Sequence, residues 1–159
     1  MKAEAISRST AIRDILSRHG TDAVYVASTG YVSRAVAAEA GPDHAILYMQ
    51  GSMGLAPALG LGIALSSAST VVVINGDGSL LMSLGTTHTV RDRAPEGRFF
   101  HYVLDNGCHE SVGGQPCAAL EESYPGVTAV IAITRDGKPP RVPVSPAENV
   151  AQVRRGVRR

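Results

Sequence analysis

The chain has 159 residues, 44% of them hydrophobic and 18% charged, which is long enough for one domain with a real core and too apolar for a disordered chain. A formal net charge of +1 removes any electrostatic case for nucleic acid or a membrane surface as partner. Residues 1–18 are polar and amphipathic rather than leader-like, no stretch reaches ~18 uncharged apolar residues, and two cysteines, Cys108 and Cys117, suit a reducing compartment, so the expected location is cytoplasmic.

Ile12, Ile15 and Leu16 recur at helical spacing and predict an amphipathic helix over 9–19, closed by His19-Gly20. Residues 23–27 read as a short strand and Ser28-Thr29-Gly30 as the loop that follows. A helix over 32–40 stops at Gly41-Pro42, and 45–48 is extended. Residues 52–66 read as a helix apolar on every face and therefore buried. Gly60 and Gly62 lower its helix propensity by about 1 kcal/mol each and point to close packing against a sheet. Val71-Val72-Val73-Ile74 has the continuous apolar character of a buried parallel strand. A helix over 80–90, a charged loop over 91–97, a strand over 99–104 and a long polar loop over 106–116 come next. The last strand is expected over 127–134, Lys138-Pro139-Pro140 is a rigid connector, and 146–154 is a helix with Pro146 in its first turn. Residues 154–159 form a basic tail (Arg154, Arg155, Arg158, Arg159), expected to be frayed and solvated. Strands alternating with helices imply an α/β fold: one domain over 1–159, in three layers, with helices on both faces of a mostly parallel sheet.

The chemistry-bearing groups follow two of these strands. Gly76-Asp77-Gly78-Ser79 lies just past the strand of 71–74, and Asp105-Asn106-Gly107-Cys108 just past that of 99–104. Open α/β sheets bind ligands outside the carboxyl ends of their strands. The interval between Gly78 and Asn106 accommodates one crossover helix and a return strand, so the two groups belong on adjacent loops. An Asp carboxylate, an Asn amide oxygen and a backbone carbonyl form a hard, oxygen-only set suited to Mg²⁺. Gly78 and Ser79 open a helix whose free N–H groups favour a diphosphate. Neither Gly76-x-Gly78 nor Gly60-x-Gly62 completes a dinucleotide fingerprint. A zinc site of Cys108, His109 and Cys117 lacks a familiar spacing, and adjacent Cys108 and His109 do not form a natural nucleophile pair.

Gly76-Asp77-Gly78 followed by Asn106 resembles the thiamine-diphosphate motif. Gly51-Ser52-Met53-Gly54, Ala27-Ser28-Thr29-Gly30-Tyr31-Val32-Ser33-Arg34 and Glu110-Ser111-Val112-Gly113-Gly114-Gln115-Pro116 are similar to segments of the diphosphate-binding half of phosphonopyruvate and sulfopyruvate decarboxylases. The resemblance implies a metal held by Asp77, Asn106 and the carbonyl of Cys108, with further cofactor contacts from Thr29, Gly30, Gly51, Ser52, Met53, Gly76, Gly78 and Ser79. It implies that Met53 wedges the cofactor into a V and that the Gly51 carbonyl accepts a hydrogen bond from its 4′-amino group. His109, Glu110 and Ser111 are candidates to meet the substrate, His109 with a role in proton transfer. His19, His44, His88 and His101 read as structural, and Arg34 as part of an exposed helix face.

The implied activity is a thiamine-diphosphate- and Mg²⁺-dependent 2-oxo acid decarboxylase, acting on 3-phosphonopyruvate or, as the alternative, 3-sulfopyruvate. A carboligase, a non-catalytic scaffold of the same fold and an unrelated phosphate-binding module remain as rivals. The glutamate that such enzymes place at pyrimidine N1′ belongs to another domain, so the expectation is one half of a split, hetero-oligomeric enzyme such as α₂β₂. In the resembled family a helix and a strand separate the Gly-Gly-Gln loop from the final strand. Residues 118–126 are too few for both, so the fold is expected to be shortened by one helix-strand unit, with an uncovered sheet edge.

Overall fold

The computed structural model describes residues 4–157. Five strands form one sheet in the order β2-β1-β3-β4-β5: β1 (Val24–Ala27), β2 (Ala45–Tyr48), β3 (Val71–Gly76), β4 (Phe99–Asp105) and β5 (Ala129–Ala132). All four pairings are parallel. Burial on both faces explains why β1 and β3 are almost wholly apolar rather than alternating.

Helices α1 (Arg8–His19) and α2 (Tyr31–Glu39) cover one face. There Ile12, Ile15, Leu16 and Val36 pack on Tyr25, Val72 and Ile74. The opposite face carries α3 (Ala56–Ser66), which sets Ala56 and Ala64 against Val26, Val71 and Val73. A Cβ on Gly60 would lie 2.5 Å from Val73 Cγ2, so the helix reaches the sheet this closely only with glycine there. Helix α6 (Pro146–Gly156) flanks β2 through Val153, and a capping box between Ser145 and Glu148 starts it. Arg154 and Arg155 lie in its last turn, whereas Arg158 and Arg159 lie outside the described residues.

Several elements differ from expectation. The helix expected over 52–66 starts at Ala56, because Gly51, Ser52 and Gly54 adopt positive φ and form a turn. It is not buried all round: Leu55, Leu59 and Leu65 are exposed by 49%, 40% and 60%. The helix expected over 80–90 is two helices, α4 (Asp77–Met82) and α5 (Thr86–Arg93), and α5 takes in the start of the expected charged loop. Between β4 and β5 the chain is irregular apart from a short 3₁₀ turn (Glu110–Val112). Leu120 from this segment is buried against Leu80 and Val103, so coil covers part of that face. The β5 edge is not wholly bare. Ile6 bridges to Ile133 in parallel, with Ile6 N–H donating to Ala132 O at 3.2 Å and Thr134 N–H to Ile6 O at 2.9 Å.

His101 is fully buried in β4, and burial pulls its pKa down to about 4. Asn75 Nδ2 lies 3.4 Å from its Nε2, which requires that nitrogen to accept. The unfolded imidazole titrates near 6.5, so the folded state binds fewer protons between the two values, and stability is present above about 6.5 and lost as pH falls toward 4. Urea denaturation from pH 7 to 5 should show this decline, and His101→Gln, which keeps an acceptor for Asn75 without titrating, should flatten it.

Candidate functional site

The β3–β4 register pairs Gly76 with Leu104, so Asp77 and Asp105 leave neighbouring strands side by side. Asp77 opens α4 and is buried. Its Oδ1 accepts the Gly78 N–H at 2.8 Å, while its Oδ2 is buried without a hydrogen-bond partner among the described residues. Burial raises its proton affinity, and the neighbouring charge of Asp105 adds to that. Burial, with Asp77 close by, likewise pushes the Cys117 thiol up to about 11. Among the described residues no cluster of three or more His, Cys, Asp or Glu side chains could hold a metal, so an ion at Asp77 would draw on amide and backbone oxygens.

Asn106 is held on both sides of its amide. Nδ2 donates to Glu110 Oε2 at 2.9 Å, and Oδ1 accepts the Cys108 N–H at 3.1 Å. Glu110 is in turn paired with Arg8 at 2.5 Å, and the Arg8 side chain is only 4% exposed. The backbone N–H of Arg8 donates to Asp136 and its Nη1 to the Gly137 carbonyl. One buried guanidinium therefore joins the start of α1, the loop after β5 and the loop after β4. That last loop closes on itself: Cys108 bridges Pro116 antiparallel, and Cys117 N–H donates to Gly107 O at 2.9 Å.

A serine pair joins the other walls. Ser28 Oγ lies 2.7 Å from Ser79 Oγ, which also accepts the Gly54 N–H at 3.1 Å. The loop after β1, the 51–55 turn and the first turn of α4 thus share one buried hydroxyl. A Cβ on Gly78 would meet the His109 ring at 2.5 Å and Met53 Cε at 3.2 Å, so both side chains converge over that glycine.

Of the residues expected at the site, Thr29, Met53, Gly76, Asp77, Gly78, Ser79, Asn106, Cys108 and His109 border one cavity of about 60 Å³. Gly30 and Gly51 border a neighbouring cavity, to which Thr29 also contributes. Ser52 faces a third, near Tyr48 and Asn149. Gly51 is nonetheless tied in, since its N–H donates to Thr29 Oγ1 at 2.9 Å. Ser52 is the sole non-glycine residue with positive φ among those described. Sequence reasoning missed Arg8, Ser28 and Asp105. Only Asp105 carried a signal, its place at the strand end beside Asn106.

Residues 27–151 match the family described as thiamine pyrophosphate enzyme, C-terminal TPP binding domain. The chain belongs to this family. The TPP-binding domain is 42% identical over 123 residues to a phosphonopyruvate decarboxylase of Streptomyces viridochromogenes, covering 77% of this chain and 30% of that protein. It is 38% identical over 115 residues to the sulfopyruvate decarboxylase subunit beta of Methanothermobacter thermautotrophicus, covering 72% of this chain and 57% of that one. The match therefore spans under a third of the phosphonopyruvate enzyme's length and somewhat more than half of the beta subunit's. No helix among the described residues of this TPP-binding domain is long and apolar enough to cross a membrane.

Removing one partner of a buried ion pair leaves the other charge uncompensated. Glu110→Ala should therefore destabilise the domain by about 3 kcal/mol, read from urea unfolding. Adding Arg8→Met should recover much of that loss in a double-mutant cycle.

Proposed function

We propose that this chain is the diphosphate- and metal-binding part of a thiamine-diphosphate-dependent 2-oxo acid decarboxylase that converts 3-phosphonopyruvate to phosphonoacetaldehyde and CO₂. The observation that carries this reading is the buried Asp77 Oδ2 without a hydrogen-bond donor, beside Asn106 and Cys108 at the carboxyl ends of β3 and β4. A divalent cation would balance that carboxylate. The donors fit Mg²⁺: a carboxylate from Asp77, the Oδ1 of Asn106 and the carbonyl of Cys108, all hard oxygens. Glu110 holds the Asn106 nitrogen, which leaves the amide oxygen on the side of Cys108.

Bound thiamine diphosphate would supply the electron sink for decarboxylation. The protein groups position and shield. The Thr29 hydroxyl accepts the Gly51 N–H and so anchors the turn whose Gly51 carbonyl we assign to the cofactor's amino group. Met53 and His109 lie over Gly78. There Met53 shapes the cofactor, and the His109 imidazole faces the substrate as a proton donor or acceptor. A pyrimidine-binding partner contributes the activating glutamate, as a second subunit or as another domain. The named beta subunits among the relatives support the first arrangement. They also support 3-sulfopyruvate as a second substrate reading.

In calorimetric titration of the enzyme assembled with its pyrimidine-binding partner, Asp77→Ala should abolish Mg²⁺-dependent cofactor binding. Asn106→Ala should weaken it about tenfold or more, as for lost metal-site partners, and Cys108→Ala should change it little. Cofactor binding by Asp77→Ala equal to that of the parent would overturn the metal reading. Met53→Leu should retain most turnover. Met53→Ala should lose turnover more than cofactor affinity, whereas ordinary core packing would lower stability and leave the turnover of bound enzyme unchanged.

A further inference from the structure

Beside the Asp77 cavity lies a larger one of about 320 Å³, whose walls include Thr29, Arg34, Gln50, Gly51 and Arg141 and no acidic residue. Arg34 was expected on an exposed helix face. Instead it is half-buried, its guanidinium lies 5.7 Å from the centroid of the Tyr31 ring, and its Nη1 is buried without a hydrogen-bond partner. Tyr31 is flanked by a second cation, Arg8, at 5.6 Å, but Arg8 is committed to Glu110. Among the described residues, neither Arg34 nor Arg141 forms an ion pair. Two uncompensated guanidinium groups thus border one cavity, and one of them holds a desolvated donor with nothing to donate to.

The surroundings reinforce a preference for negative charge. Gly30 is the N-cap of the nine-residue α2 and provides no side-chain cap, so the positive end of the helix dipole lies at this wall. Guanidinium groups bind tetrahedral and planar oxyanions through paired N–H donors. The Thr29 hydroxyl and the Gln50 amide add neutral polar groups. Thr29 borders both cavities, and Gly51, assigned above to the reactive end of the cofactor, borders this one.

We propose that this cavity is the specificity subsite for the second anion of the substrate, a phosphonate or sulfonate on C3 of the 2-oxo acid, with Arg34 and Arg141 as its ligands. This rests on the decarboxylase reading and gives the chain itself, rather than its partner, the selection of a doubly anionic substrate. A neutral C3 substituent would leave the buried Nη1 of Arg34 unpaired, which is how a polar site rejects an analogue lacking the matching group.

The test uses non-reacting probes on the full chain, so it does not depend on turnover. Phosphonoacetate, sulfoacetate and acetate are titrated calorimetrically. Phosphonoacetate or sulfoacetate should bind measurably tighter than acetate, and the tighter of the two names the substrate. Loss of one charged hydrogen-bond partner should weaken that probe about tenfold or more in Arg34→Ala and in Arg141→Ala. Arg141 is exposed, so its variant tests the site even if Arg34→Ala folds poorly. Arg34→Lys, which keeps the charge but not the fork, should fall between. Asp77→Ala should leave probe binding unchanged, which separates failure of the metal reading from failure of this one. Equal affinity for all three probes, or full affinity for the tighter probe in both Arg141→Ala and Arg34→Lys, would overturn the proposal.

Discussion

The arrangement of the site depends on one constraint, the parallel register of β3 and β4. Pairing Gly76 with Leu104 sends two aspartates off neighbouring strand ends together. Asp77 goes into the protein and Asp105 stays at its margin. Burial, with the like charge of Asp105 beside it, raises the affinity of Asp77 for a proton or a cation. Gly78 contributes an N–H to one oxygen of Asp77 but cannot serve the second. The sheet therefore builds an electrostatic deficit at its carboxyl edge, and a cation is the natural complement.

Short polar connections hold the loops around that deficit. Ser79 Oγ ties the loop after β1 and the 51–55 turn to the start of α4. Arg8, Glu110 and Asn106 connect α1 to the loop after β4. Both connections are buried or nearly so, where hydrogen bonds are strong and unmade ones costly. They give polar loops a geometry that packing alone would leave loose. Between them lies the glycine at 78, whose missing side chain admits the His109 ring.

Much of this was legible in the sequence, for identifiable reasons. The run Val71-Val72-Val73-Ile74 has no other reading than a buried strand, and Asp77 and Asn106 follow their strands at once. The division of 77–93 into α4 and α5 was not legible, because Leu80-Leu81-Met82 continues the apolar character right up to the break. The turn before α3 was hidden by Ser52, a residue that seldom adopts the positive φ it has here. Arg8 gave no local sign at all. Its burial depends on Glu110, which lies 102 positions further along the chain, and periodicity within a helix cannot report such a partner. The half-buried state of Arg34 escaped for the same reason, since part of its cavity wall comes from Arg141.

The place of Arg8 bears on where this domain physically starts. Similarity to the family begins at residue 27, after α1 has already ended. Yet α1 supplies Ile12, Ile15 and Leu16 to the main core, and the residue that opens it anchors Glu110. The unit that likeness recognises and the unit that folds are therefore not coextensive. A fragment cut to the outline of the family would lose α1, half of the helical layer on one sheet face, and the counter-charge of Glu110, and Asn106 would then rest on a carboxylate with nothing to hold it.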